Sequence, residues 1–118
     1  MKIAAGTARV EFMDGLFGGN GTLILDEFLG KEELSGAGRR VGIMHIPPAA
    51  SIGIHRHSGE FEFYYVLKGK GVYEDNERQY PIEEGDFVLC VDGEDHGLRN
   101  NSHEELSLFI SILNTVPS

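Results

Sequence analysis

Short apolar segments separated by turn residues run along most of the chain. No segment carries a helical stripe of apolar residues longer than a turn or two, and glycine, proline, asparagine and aspartate recur between the segments. This pattern predicts strands at residues 22–29, 39–46, 51–57, 61–67, 71–74, 78–81, 86–91, 96–100 and 105–113. Regular short strands without helices indicate an all-β sandwich or barrel.

The N-terminal third is less regular. Residues 1–14 alternate weakly and predict a short edge strand or arm. The glycine-rich stretch 15–21 lacks the Gly-Lys-Ser/Thr ending of a phosphate-binding loop, and no helical pattern follows it, so a tight turn is favoured. Residues 30–38 are predicted to form an exposed loop. Pro47 and Pro48 end the strand before them, because proline cannot donate a hydrogen bond to a sheet.

The chemistry of the chain is concentrated in residues 53–69. His55 and His57 are two positions apart in a predicted strand, so both imidazoles leave the same face and one metal ion can lie between them. After a turn at Ser58 and Gly59, the next strand is expected to return beside the first and place the carboxylate of Glu62 opposite the histidines. An unpaired buried carboxylate is costly, and a divalent cation offsets that cost.

A second stretch, residues 85–100, offers His96 as a fourth ligand at the start of another strand. Together the two stretches resemble the paired motifs of the cupin superfamily. The first motif is met by His55, His57, Glu62 and Gly69, and the second by Gly85, Gly93, His96 and Asn100. Ala49 stands where the first motif begins with glycine, and Val91 stands where the second has proline. Neither is a ligand position.

The resemblance covers about residues 40–113 and implies a fold and a ligand set. It implies an all-β double-stranded β-helix, or jelly-roll barrel, with short N-terminal strands or an arm. The expected organisation is a single domain over residues 1–118, with the arm at 1–38 and the motif-bearing barrel at 40–113. It also implies one divalent transition metal per chain, bound by three histidines and one glutamate. Manganese, iron, nickel and zinc fit this set, as do cobalt and copper.

Other residues could take part in the site or belong to the structure. Glu60 competes with Glu62 as the carboxylate ligand. It lies in or beside the turn, with only two residues between it and His57, so Glu62 is preferred. His45 and His103 match neither motif and are interpreted as structural. Cys90 lies in an apolar run, which favours a buried thiol over a nucleophile.

Strand alternation gives the residues around the metal. Tyr64 is expected on the same inward face of its strand as Glu62. As a candidate catalytic residue it would donate a hydrogen bond to a substrate or a bound water; alternatively, it only fills the barrel. Asn100 fits a structural amide, or one that supports a ligand, better than a ligand. No lysine or arginine in the motif strands faces inward, although Arg39 or Arg40 could reach the site from outside them.

The opposite face of the same strand predicts a partner. Phe61, Phe63, Tyr65 and Leu67 would leave more apolar surface than one sheet shows to water, and a two-fold homodimer is the usual way to cover it. Small cupins are often dimeric.

Composition narrows the class of partner further. The net charge of −9 over 118 residues argues against nucleic acid or an anionic membrane as partner. No apolar run is long enough to span a membrane, and the single cysteine cannot form an internal disulfide, so a cytoplasmic location is expected.

Three functions fit these observations. The first is a metal-dependent enzyme acting on a small organic molecule, in the dioxygenase, oxalate-type decarboxylase or isomerase class, as the resemblance implies. The second is a binding protein in which the metal holds a small carboxylate or sugar. The third is a metal that only stabilises the fold, although closed structural sites usually contain cysteine ligands, which are lacking here.

Overall fold

The prediction of an all-β jelly roll is confirmed by a computed structural model, which describes residues 1–115. Within these residues ten strands form two antiparallel sheets, one of six strands and one of four. The elements are β1 (Arg9–Asp14), β2 (Thr22–Gly30), α1 (Lys31–Leu34), β3 (Gly38–Ile46), β4 (Ser51–Arg56), β5 (Glu60–Lys68), β6 (Lys70–Asp75), β7 (Arg78–Glu83), β8 (Phe87–Cys90), β9 (Asp95–Arg99) and β10 (Leu106–Asn114). Residues 116–118 of the expected domain lie outside the described part.

The two sheets face each other across one core. The six-stranded sheet has the order β1-β2-β3-β10-β5-β8, and the four-stranded sheet has the order β4-β9-β6-β7. Alternate residues of each strand point inward, so the core combines β10 side chains such as Leu108 and Ile110 with Ile52 and Leu98 from the opposite sheet. One end of the space between the sheets is occupied by polar residues instead, and the candidate site lies there.

The strands that carry the motifs are not hairpins, contrary to the sequence-based expectation. β4 pairs with β9 in the four-stranded sheet, whereas β5 pairs with β8 and β10 in the six-stranded sheet. The chain therefore crosses from one sheet to the other at Gly59, which has a positive φ of 76°. Glu62 approaches the histidines from the facing sheet, because its strand lies opposite theirs.

The N-terminal strands are integrated into the larger sheet. β1 is its edge strand and pairs with β2 over the whole of its length. Met13, Leu23 and Leu25 from these strands are buried in the core.

The stretch 30–38 differs from the exposed loop that the sequence predicts. It begins with the single helical turn α1, where the carboxylate of Glu33 accepts a hydrogen bond from the backbone N–H of Gly30 at 2.9 Å. Arg9 on β1 also donates to Glu33, so the turn is attached to the edge of the sheet. A local carboxylate bond of this kind stabilises one helical turn without an apolar stripe, which is why the pattern did not reveal it.

The outer face of the six-stranded sheet carries a row of mostly apolar side chains. In register from β1 to β8 the row consists of Val10, Asp26, Ile43, Phe109, Tyr65 and Phe87. Phe63 extends it, since its ring stacks on that of Phe87 with centroids 5.2 Å apart. Phe87 is 57% exposed and Tyr65 is 43% exposed. The outward direction predicted for the β5 aromatics therefore agrees with the structure.

No helix in residues 1–115 has the length and apolar character needed to cross a bilayer.

Candidate metal centre

Four side chains from three strands converge at one end of the space between the sheets. His55 lies on β4, His57 directly follows β4, His96 lies on β9, and Glu62 reaches across from β5. The Nε2 atoms of the three histidines lie 3.0 to 3.2 Å from one another. Oε1 of Glu62 lies 2.9 Å from Nε2 of His57 and 3.0 Å from Nε2 of His96. The structure thus brings together all four residues that the sequence nominates as ligands.

These spacings can be compared with those around a metal ion. Two donors at right angles on an ion with bonds of about 2.1 Å lie about 3.0 Å apart, whereas donors at the tetrahedral angle lie about 3.4 Å apart. The observed distances match the right-angle arrangement. Nitrogen lone pairs and a carboxylate oxygen at such short range repel one another unless positive charge lies among them. The donor set therefore fits a divalent transition-metal ion with five or six ligands.

His57 is oriented by a carboxylate on its far side. Its Nδ1–H donates to Oε1 of Glu60 at 2.7 Å, and Arg39 donates two hydrogen bonds of 2.9 Å to the same carboxylate. Donation from Arg39 is the largest cause of the lowered pKa of Glu60, so Glu60 remains an acceptor. Because Nδ1 carries the proton, the lone pair of Nε2 faces the cluster. Glu60, the alternative carboxylate ligand, thus supports His57 and lies outside the cluster.

His55 is fixed from two sides. Its Nδ1–H donates to the backbone carbonyl of Gly53 at 2.8 Å, which again leaves the Nε2 lone pair facing the centre. The ring of Phe17 stacks on the imidazole with centroids 3.9 Å apart. Burial lowers the pKa of His55, and a neutral imidazole is the form that binds metal.

The glycine-rich turn 15–21 places Phe17 over the site. Phe17 has a positive φ of 52°, which is uncommon for a bulky residue and is stored backbone strain. The turn packs against β4 at Gly53, where an added Cβ would lie 2.0 Å from the carbonyl oxygen of Phe17. Only glycine at position 53 allows the turn to approach β4 this closely. The turn predicted from the sequence therefore also holds the Phe17 ring against His55.

Two tyrosines complete the surroundings. Nδ1 of His96 lies 2.9 Å from the hydroxyl of Tyr73, and the hydroxyl of Tyr64 donates to Oε1 of Glu62 at 3.2 Å. Burial raises the pKa of Tyr64 well above its usual value, so it stays protonated and acts as a donor. Tyr64, the catalytic candidate, is 2% exposed and its hydroxyl proton is directed at a cluster residue.

The charge state of the cluster is set by its contacts. Burial opposes ionisation of Glu62, but its contacts with His57 and His96 outweigh burial and lower its pKa to about 2. Burial also disfavours a charged His57, yet contacts with Glu62 and Glu60 raise its pKa overall. The immediate surroundings therefore favour an additional positive charge, as a metal site does.

A cavity of about 230 Å³ opens beside the cluster. His55, His57 and Glu62 form its polar end, and the rest of its wall is mostly apolar. Two cations, Arg39 and Arg40, also line it. The remaining lining residues are Glu11, Met13, Leu16, Phe17, Met44, Ile52, Tyr64, Ile110 and Ile112.

Arg40 faces the cavity by ordinary strand alternation from Met44 and Gly42, and Arg39 joins it because of an irregularity in β3. The register between β10 and β3 shifts at Ile112 and Leu113, which pair with Arg40 and Gly38, so Arg39 is an extra residue in the ladder. Such a bulge redirects neighbouring side chains, and here it lets two successive arginines face inward. Strand alternation alone cannot predict this.

Two contributors to the site, Phe17 and Tyr73, are not predicted from the sequence. Phe17 lies in a turn whose packing partner is distant in sequence. Arg39 and Arg40 are predicted as residues that could reach the site, and both line the cavity. Tyr73 could have been found, because it alternates inward from Gly71 on its strand.

The other nominated residues lie elsewhere. Asn100 is a structural amide, since its Nδ2 donates to the backbone carbonyls of Ile46 and Glu104. His45 lies between Asp26 and Glu105, at 2.8 and 3.2 Å, away from the cluster. His103 is exposed. Cys90 is buried, and burial raises the pKa of its thiol to about 12, which rules against a thiolate nucleophile at neutral pH.

The support of His57 by Glu60 can be tested by substitution. We expect Glu60→Gln to weaken Mn²⁺ binding by about 10- to 100-fold, because residues that orient a metal-binding histidine typically have effects of this size. Competition with a chelator of known affinity measures the change. Glu84→Gln, at an exposed turn position, is the matched control and should bind like the wild type. An unaltered affinity in Glu60→Gln would contradict this role.

Comparison with known proteins agrees with the architecture. The family model of the Cupin domain matches residues 42–113. An oxalate-binding protein of Thermotoga maritima is 34% identical over 96% of this chain and 93% of its own length. A crystal structure from Thermotoga maritima, described as a predicted oxalate decarboxylase, aligns with a TM-score of 0.92 at 33% identity, covering 98% of this chain and all of that chain.

A more distant structure shares the fold alone. A Cupin 2 conserved barrel domain protein from Salinispora arenicola aligns with a TM-score of 0.72 at 17% identity, over 98% of this chain and 90% of that one. The two-sheet barrel, the convergent histidines and glutamate, and the match to both motif regions lead to one conclusion. The chain belongs to the cupin family.

Proposed function

We propose that the protein binds one divalent transition metal through His55, His57, Glu62 and His96 and uses it to hold a small carboxylate, with oxalate as the first candidate. The observation that carries the proposal is the 2.9 to 3.2 Å spacing of the neighbouring donor atoms. That spacing favours metals that accept six ligands, such as manganese, iron, cobalt and nickel, over tetrahedral zinc. The metal would supply Lewis acidity and two positions for ligand oxygens.

The charge of the cavity favours an anion. Glu62 offsets only one of the two charges of a divalent ion, and the Glu60 carboxylate is already neutralised by Arg39. Arg40 adds a further positive charge at the cavity. Although the chain as a whole carries −9, the local field of this pocket is therefore positive when the ion is bound.

The size of the cavity favours a small ligand. Sites for drug-sized ligands usually measure about 300 to 1,000 Å³, and the cavity here is about 230 Å³. Oxalate is a compact planar dianion that can offer two oxygens to one metal. The name of the oxalate-binding relative, which is 34% identical over 96% of this chain, supports this choice.

Oxalate binding is tested by calorimetry on the metal-loaded protein. We expect Mn²⁺-loaded protein to bind oxalate and chelator-treated protein to bind it at least about 100-fold more weakly, because the ion makes the main contact. Acetate and glucose serve as comparison ligands. Equal oxalate binding with and without Mn²⁺ would contradict a metal-held ligand.

Decarboxylation of oxalate is the second candidate function. Loss of CO₂ from oxalate leaves formate once a proton reaches the remaining carbon, so an acid is needed at the cavity. The hydroxyl of Tyr64 already donates a hydrogen bond to Glu62. Glu11 also lines the cavity, and its side chain is 55% exposed, so it can exchange protons with water. The relative described as a predicted oxalate decarboxylase supports this alternative. Formate detected by NMR in the same oxalate samples would favour the enzyme over the binding protein.

The homodimer stays a prediction. The outer row of Val10, Ile43, Phe109, Tyr65 and Phe87 supports it, because a second copy could cover these side chains through a two-fold axis.

A further inference from the structure

Arg40 occupies an unusual position at the cavity. It pairs with Ile112 of β10 and lies two residues before the buried Gly42, so both residues are on the inward face of β3. Its side chain is only 19% exposed and lines the same cavity as His55, His57 and Glu62. The side chain is thus mostly buried on the wall of the cavity whose polar end is formed by the cluster.

Within residues 1–115 the guanidinium of Arg40 forms no hydrogen bond. Its Nε is fully buried without an acceptor. The nearest carboxylates are Glu11 at 3.7 Å and Glu27 at 3.9 Å, both beyond hydrogen-bonding distance. Arg39 beside it is different, since it forms two hydrogen bonds of 2.9 Å to Glu60.

The surrounding acids interact only loosely with Arg40. Glu27 has a closer partner in Arg9, at 3.0 Å, although Arg9 also donates to Glu33. The side chain of Glu11 is 55% exposed on the edge strand β1 and is solvated without help. A buried N–H without an acceptor lowers stability, and local exceptions of this kind are expected at functional sites, where a ligand can complete the bonding.

We infer that Arg40 binds a carboxylate group of the ligand and thereby selects dicarboxylates, an inference that rests on the proposed function. The planar fork of a guanidinium donates two parallel hydrogen bonds to a carboxylate, a geometry that lysine cannot reproduce. The ligand thus lies between the metal at one end of the cavity and Arg40 on its wall.

The test compares Arg40→Met with the wild type, both loaded with Mn²⁺. Methionine retains the apolar bulk and removes the unpaired donors, so we expect an unchanged or higher melting temperature without ligand. Metal content stays at the wild-type level, and oxalate affinity measured by calorimetry falls by about 10- to 100-fold, the range of a hydrogen bond to a charged group. Arg40→Lys recovers only part of this loss. Arg99→Met, on the exposed face of β9, is the matched control and binds oxalate like the wild type.

The outcomes separate this inference from the proposed function. Wild-type oxalate binding that Arg40→Met leaves unchanged overturns the role of Arg40 alone. A lowered melting temperature with unchanged oxalate affinity would show that Arg40 only links β3 to Glu11 and Glu27. Failure of the Mn²⁺-loaded wild type to bind oxalate overturns the proposed ligand, and the role of Arg40 with it.

Discussion

We expect His96→Ala to lower the affinity for Mn²⁺ by more than about 100-fold, because removal of a ligand exceeds the 10- to 100-fold effect of removing a residue that only orients one. His96 is 1% exposed and its Nε2 contacts three of the donor atoms at 3.0 to 3.1 Å. No neighbouring side chain can replace it, since Tyr73 on its far side is a protonated phenol. Chelator competition and elemental analysis of the purified variant measure the loss.

The control for this experiment is His103→Ala. His103 is exposed and does not belong to the cluster, so this variant should retain one ion per chain. Because His96→Ala also removes the contact to Tyr73, its melting curve without metal is needed to show that the protein still folds. A folded variant that binds Mn²⁺ like the wild type would remove His96 from the site.

The second large effect is on stability. We expect saturation with Mn²⁺ to raise the melting temperature by about 10 to 20 °C, since an ion present at 1,000 times its dissociation constant stabilises the native state by about 4 kcal/mol. The structural reason is the convergence of four polar groups, three of them buried; His57 and Glu62 are 2% and 5% exposed. A bound cation satisfies all of them together.

Differential scanning calorimetry with and without Mn²⁺ measures this shift. The increase should be reversed by EDTA and should be much smaller in His96→Ala, where a site that is about 100-fold weaker retains only about a third of the stabilisation at the same Mn²⁺ concentration. The metal-free protein should still unfold cooperatively, because the apolar core between the sheets does not depend on the ion. Identical melting curves in EDTA and in Mn²⁺ would be incompatible with a metal site at this cluster.

The strands and the four convergent residues could be predicted because their signals are local. Turn residues such as Pro47 and Gly85 separate the strands, and the spacing of His55, His57 and Glu62 is contained in a single stretch. Strand alternation also gave the inward direction of Tyr64 and the outward direction of Tyr65. These features follow from the two-residue alternation of side chains along a strand and require little knowledge of tertiary contacts.

The missed features depend on contacts between distant segments. Whether β4 and β5 pair as a hairpin or face each other across the core is decided by their other neighbours, β9 and β10. The inward turn of Arg39 requires a bulge opposite Ile112 and Leu113, and the contact of Phe17 with His55 requires the packing of its turn on Gly53. The residues in each of these contacts are far apart in the sequence, so local patterns do not reveal them.

The division of the cluster between two sheets has a mechanical consequence. Three imidazoles belong to one layer of the sandwich and the carboxylate of Glu62 belongs to the other, so an ion at the centre would act as a cross-link that pins the layers in one alignment. Sliding of one layer past the other would move Glu62 away from both imidazoles that it contacts, those of His57 and His96. Substitutions far away, along the seam between the layers, would then weaken metal binding without touching any ligand.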